Sequence, residues 1–312
     1  MSGLQTASFY NGNKVPVLAI GTMSSMSPEA IKDAIKLGYR HFDISPVHSN
    51  EEEIGAVLSE LFTNKVIRRE NIFITAKLWN TCHRPDQVEP SLKKSLSLLN
   101  LKYVNLYLMN WPMGFEESDD PFPTDDAGQL RFSAVDYVDT WKAMEQLVEK
   151  NLVKNIGVAN FNSKQLTRII ENCRIKPVVN QIECHPFLPQ LKLTEFCKSH
   201  GILVSARNPF GAPDRPWSDP MSQGHLQNPQ LIKIFQHYQK KPSQVFLHYQ
   251  VQKGHLVVPE GSIKSKLEDH LRIFDFKITK EDMGLLDKLN RNRRVDAMLS
   301  CEDHPYYPFH EE

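Results

Sequence analysis

The sequence has no surplus charge of either sign: 37 Lys and Arg stand against 37 Asp and Glu in 312 residues. A field able to hold nucleic acid or an anionic membrane needs a basic excess, so neither partner class is expected. No stretch approaches the roughly 18 consecutive apolar residues of a membrane span, and the N-terminal MSGLQTASFYNGNK lacks the apolar core of a secretory leader. The five cysteines, Cys82, Cys173, Cys184, Cys197 and Cys301, are odd in number and show no C-x-x-C spacing. That argues against a disulfide framework and a structural zinc site, and no metal is expected. A reduced, cytoplasmic protein is the simplest expectation. Also missing is G-x-G-x-x-G after the first strand, the fingerprint of an open dinucleotide-binding sheet. No low-complexity linker divides the chain, so residues 1–312 are expected to form one domain.

What is present is alternation. Short apolar runs read as strands at Val17–Ile20, His41–Asp43, Ile72–Lys77, Val104–Asn110, Asn155–Ala159, Val178–Glu183, Ile202–Ala206 and Leu256–Pro259. Between and after them, apolar residues recur at three and four in Glu51–Leu61, Gln87–Leu98, Tyr137–Glu149, Ser163–Asn172, Lys264–Leu271 and Lys280–Asn290, the helical period. Eight such units predict an α/β fold of the closed parallel kind, a (β/α)8 TIM barrel, which one chain of this length can fill. Two long interruptions, Pro112–Ala134 and Asn208–Gln227, begin at strand C-termini and are expected to overhang the face where such barrels carry their active sites. The tail, with Tyr306, Tyr307 and Phe309, is expected to pack on something.

Several segments resemble one family: GYRHFD ending at Asp43, SNEEEIG ending at Gly55, FITAKLWNT around Lys77, NLYLMNWPMGF through Phe115, LVKNIGVANFN ending at Asn162, VNQIECHPFL from Val179, and the final YPFHEE. These are similar to the aldo-keto reductases, and PDRPW at Pro213–Trp217 with the AMLSC…YPFHEE ending most resembles the aldose reductase branch. The resemblance spans essentially the whole chain and implies an NADPH-dependent reductase of aldehydes and ketones. In that family a tyrosine donates the proton, an Asp and a Lys tune it, and a histidine orients the carbonyl.

This sequence matches at Asp43 and Lys77 and departs at the other two catalytic positions, with His48 for the tyrosine and Asn110 for the histidine. A phenol near pKa 10, lowered by an adjacent ammonium, can donate a proton at neutral pH. An imidazole near pKa 6.5 is instead pushed toward its neutral form by the same ammonium. Neutral His48 can still offer an N–H to a carbonyl, from a shorter and differently aimed side chain, and the Asn110 amide can orient a carbonyl oxygen. Asp43 and Lys77 also read as a buried ion pair kept because losing one partner is destabilising, and His48 as a hydrogen-bonded structural histidine.

The resemblance implies further departures along the cofactor groove. Where the family carries I-P-K-S-V-T-P-x-R around the adenosine 2′-phosphate, this chain reads VPEGSIKSK, placing Glu260, Gly261, Ile263 and Lys266 at the ligand positions. Ser262 and Lys266 are left to recover part of the lost attraction. Arg207 stands where the family places the aromatic residue that stacks on the nicotinamide; a guanidinium can stack on a ring but would repel the cationic oxidised form, and Ala159 replaces the serine that holds the carboxamide, while its partners Asn160 and Gln181 remain. Met23 and Ser24 replace a pocket Trp and a pyrophosphate Lys, leaving Asp214 without the basic partners it has in the family.

Trp79, Trp111, Phe122 and Trp217 stand where the family builds an apolar substrate pocket, or else pack loops onto the barrel mouth. Asp296 either adds a charge to that pocket or faces solvent, and Cys301 reads as a packed thiol. Because the changes cluster at ligand positions, carbonyl reductase activity is expected to be severely weakened or lost. NADPH binding is expected to be weakened through Glu260, Arg207, Ala159 and Ser24. The alternatives are an active reductase that accepts NADH, a barrel that binds a small apolar carbonyl compound or other ligand without turning it over, and a structural role. The sequence specifies no protein partner.

Overall fold

Side-chain alternation along each strand sorts the apolar residues into two layers, and that sorting decides which residues reach the mouth. The computed structural model describes residues 5–22, 26–211, 228–261 and 263–310. An antiparallel hairpin, β1 (Thr6–Ser8) and β2 (Lys14–Pro16), precedes eight parallel strands: β3 (Ile20–Gly21), β4 (His41–Asp43), β5 (Phe73–Leu78), β6 (Leu106–Met109), β7 (Ile156–Ala159), β8 (Val179–Glu183), β9 (Leu203–Arg207) and β10 (Leu256–Val258). Each pairs with the next in sequence order. Parallel bridges from Leu18 to Val257 and from Gly21 to Glu260 join the two ends, and the Ala19 N–H donates to Val257 O at 2.9 Å, so the sheet closes. This is the predicted (β/α)8 barrel. The predicted strand Val17–Ile20 survives only as Ile20–Gly21, with Leu18 contributing through a single bridge.

Outward residues such as Ile74, Ala76, Leu78, Tyr107, Met109, Ile156, Val158 and Ile182 join the main core beneath the helices. Those helices are α1 (Pro28–Leu37), α2 (Glu51–Thr63), α3 (Pro85–Leu98), α4 (Tyr137–Glu149), α5 (Ser163–Asn172), α6 (Leu191–Ser199), α7 (Pro229–Tyr238), α8 (Pro242–Gln252), α9 (Lys264–Leu271) and α10 (Lys280–Asp287). α3 starts two residues before its predicted start at Gln87, because Pro85 pre-sets the first helical position. A Cβ on Gly55 would lie 2.3 Å from the Leu98 carbonyl oxygen, so α2 and α3 meet backbone to backbone. Inward residues Phe73, Leu106, Leu108, Val179, Leu203 and Leu256 fill the barrel floor, sealed from below by Phe9, Val15 and Val17 around the hairpin. None of the described helices is long and apolar enough to cross a membrane.

Two segments cover the upper face. The loop from Pro112 to Ala134 folds on itself through bridges Phe115–Phe132 and Thr124–Leu130. The Trp79 Nε1 ties it down by donating to Pro121 O at 2.7 Å. The C-terminal tail packs as expected: Asn162 and Gln165, which form the capping box of α5, also donate to Pro308 O at 3.0 Å and Tyr306 O at 2.9 Å.

Candidate active site

The inward parity of the floor residues extends upward to the site. Counting by two from Phe73 reaches Lys77, from Leu106 reaches Asn110, from Val179 reaches Gln181 and Glu183, from Leu203 reaches Arg207, and from Leu256 reaches Glu260. Lys77 Nζ lies 2.7 Å from Asp43 Oδ1, with the two side chains 7% and 6% exposed. Gln181 Nε2 donates to the other carboxylate oxygen of Asp43 at 2.7 Å, and more weakly to Ser205 Oγ at 3.4 Å. Gln181 Oε1 is buried and has no hydrogen-bond partner among the described residues. Asn160, held at φ 63°, a region Asn tolerates better than most residues, donates from Nδ2 to the Asn110 backbone oxygen at 2.9 Å.

His48 ends a 3-10 turn, Pro46–His48, that follows β4 and leaves it half-buried over the Asp43–Lys77 pair. Burial is the chief reason its pKa falls below the usual imidazole value, and the Lys77 ammonium adds to it; Glu260 and Asp43 pull the other way and are outweighed. The imidazole is therefore neutral at pH 7, in the direction the sequence implies, although burial contributes more than the lysine.

Across the mouth lies a second ionic group. Arg207 Nη2 pairs with Asp296 Oδ2. Burial disfavours the guanidinium charge, yet Asp296, with Glu183 and Glu260 behind it, holds the proton more firmly than usual. Asp296, expected either to add a charge to the pocket or to face solvent, is about a third exposed and carries its charge paired with Arg207. Asp296, Glu183 and Glu260 also place carboxylates around the Arg207 charge. Glu183, absent from the predicted site, lies on the same inward parity two residues beyond Gln181, which was signal enough to find it.

Three of the four candidate pocket aromatics meet at the mouth. Trp79 and Trp111 are buried in one cluster with Met113, Phe115, Cys301 and Tyr307, and Val47 packs against it. Phe122, 41% exposed, meets Trp79 edge to face at 5.3 Å, and Phe309 of the tail meets Trp111 at 5.8 Å. Cys301 is fully buried, a packed thiol as predicted. Lys266 sits exposed in the first turn of α9, while Asp214, Trp217, Ser262, Met23 and Ser24 lie outside the described residues.

The sequence model described as "Aldo/keto reductase family" matches residues 18–291. The chain belongs to the aldo/keto reductase family. It is 42% identical to aldo-keto reductase family 1 member A1 of Gallus gallus, with 99% of each chain covered, and 39% identical to the Homo sapiens protein of that name, with 97% of each covered. Among solved structures it is similar to the aldose reductase of Schistosoma japonicum, with TM-score 0.92, 39% identity and 99% of each chain covered.

A nicotinamide cofactor is general in the family, so the residues present can be tested against it. At the carboxamide end they fit: the unpartnered Gln181 Oε1 is a buried acceptor awaiting an N–H, beside Asn160. Elsewhere the described residues differ from those the family uses. Arg207 is engaged with Asp296, Ala159 offers a methyl group, and Glu260 places a carboxylate on the β10 rim where the family has an ammonium.

Proposed function

We propose that this chain is an aldo/keto reductase barrel whose NAD(P)H-dependent carbonyl reduction is severely weakened or lost. The observation that carries the reading is the intact Asp43–Lys77 pair, closed at 2.7 Å beneath a neutral imidazole instead of a phenol. When bound, a reduced nicotinamide supplies the hydride; the protein's part is to hold the carbonyl and deliver a proton. His48 and Asn110 can polarise a carbonyl oxygen through N–H groups, but a neutral imidazole is a poor proton donor. Loss of a general acid costs about 10² to 10⁴ in rate. The Arg207–Asp296 pair and Glu260 add a weakened cofactor site, since a carboxylate facing a phosphate of nearly two negative charges is repelled. Reduction of a simple aromatic aldehyde with NADPH at about 1 s⁻¹ or faster contradicts this reading.

A second reading is an active reductase with altered cofactor choice. Gln181 Oε1 supports it, because that acceptor serves the nicotinamide carboxamide of NADH as well as NADPH. Glu260 then accepts ribose hydroxyls in place of a 2′-phosphate. The buried Trp79–Trp111 cluster supports a third role, holding a small apolar carbonyl compound or other ligand without turnover.

A further inference from the structure

Glu183 is 1% exposed and its carboxylate is shared between two parts of the chain. Its Oε1 accepts from His185 Nε2 at 2.8 Å, two residues away. The backbone N–H of Val295 donates to Oε1 at 2.9 Å and to Oε2 at 3.1 Å, and that of Asp296 to Oε2 at 2.8 Å. These two amides lie in a stretch of the tail, residues 294–301, that reaches both halves of the mouth. On the groove side Asp296 meets Arg207. On the aromatic side the Arg294 guanidinium lies 3.6 Å over Phe309, whose ring abuts Trp111. The next residue, Ala297, accepts from the Tyr307 hydroxyl at 2.6 Å, and Cys301 closes the stretch inside the Trp79–Trp111 cluster.

We propose that Glu183 is a positioning residue: by holding the Val295 and Asp296 amides it fixes residues 294–301 across the mouth, and so sets the cofactor-side and aromatic-side walls together. This holds whether or not hydride transfer survives. The far end of the tail has its own anchors, Asn162 and Gln165 on Pro308 and Tyr306, so loss of the Glu183 contacts loosens 294–301 alone. A methionine in its place keeps the length of the side chain but offers the two amides no carboxylate oxygen, whereas a glutamine could still accept from both through one oxygen at the Oε2 position.

Cys301 reports the result directly, since it is 0% exposed within that stretch, while Cys197, also 0% exposed, lies in the main core and serves as an internal control. In Glu183→Met, maleimide labelling of Cys301, resolved by peptide mass, is expected to speed up about tenfold or more, the consequence of losing charge-assisted hydrogen bonds. Cys197 is expected to keep its rate. Asp296→Asn, which keeps both backbone donors, is expected to leave Cys301 protected. An unchanged Cys301 rate overturns the proposal. So does a parallel rise at Cys197, which would make Glu183 a support of the whole barrel, or equal exposure of Cys301 in Asp296→Asn. Should Glu183→Met fail to fold, Val295→Pro removes one donor with the carboxylate left intact, and the same split between the two thiols decides.

Discussion

Replacing Lys77 by Met leaves the Asp43 carboxylate, 5% exposed, without its ammonium partner and with Gln181 Nε2 still donating to it. At the 2.7 Å separation of Lys77 Nζ and Asp43 Oδ1, the gross attraction at an effective dielectric of 20 is about 6 kcal/mol. Desolvation of both ions offsets part of this, so the expected net destabilisation is about 3–5 kcal/mol, the range for breaking a buried pair from one side. Asp43→Asn with Lys77→Met removes both charges, and the double variant is expected to be at least about 2 kcal/mol more stable than the sum of the single changes. Urea unfolding followed by circular dichroism supplies all four corners of the cycle. A cost below about 1 kcal/mol for Lys77→Met, or strict additivity, refutes the argument. The outcome bears on function: a strong coupling gives this pair a structural reason to persist whether or not proton transfer depends on it.

His48→Tyr alone is expected to raise aldehyde reduction by less than about tenfold, because a general acid delivers its 10² to 10⁴ only when the cofactor is held within reach; a gain of about 10³ in steady-state rate shows the groove to be intact. Acid is expected to unfold the protein early. Burial holds His41 and His270 at about 4 and, with the neighbouring His304 acting on His83, His83 and His255 at about 3. Unfolded histidine titrates near 6.5, so below that pH the unfolded chain binds more protons, and stability present above 6.5 is lost as pH falls toward 4. Each group contributes about 3 kcal/mol by pH 4, and together they rival the total stability of a typical domain, about 5–15 kcal/mol. Cooperative loss of ellipticity between pH 6 and 4 is the expected result; an unchanged native signal at pH 4 contradicts it.

The barrel was legible because eight apolar runs and their intervening helices repeat at barrel spacing, and residues such as Lys77 and Asn110 stand at the ends of those runs. The hairpin β1–β2 was not, since two three-residue strands with mostly exposed or half-buried side chains carry no period to read. Asp43, Lys77 and Gln181 were recognisable singly, but their hydrogen-bond connection depends on packing: Gln181 and Asp43 are 138 residues apart. The same limit hid Asp296, 89 residues from Arg207, and the grip of Glu183 on residues 112 and 113 positions later. Sequence pattern reveals which residues face the axis; which of two neighbouring carboxylates a guanidinium selects is set by where the tail lands.

Whether this barrel still accepts its family's cofactor is the most direct test of the account. Titration of the purified protein with NADPH and, separately, NADH, following tryptophan fluorescence and melting temperature, measures it. The account predicts no shift in either signal with NADPH below millimolar concentration, because a ligand that binds only the folded state raises stability only as its concentration passes Kd. Micromolar NADPH binding contradicts it and restores this chain to the working reductases.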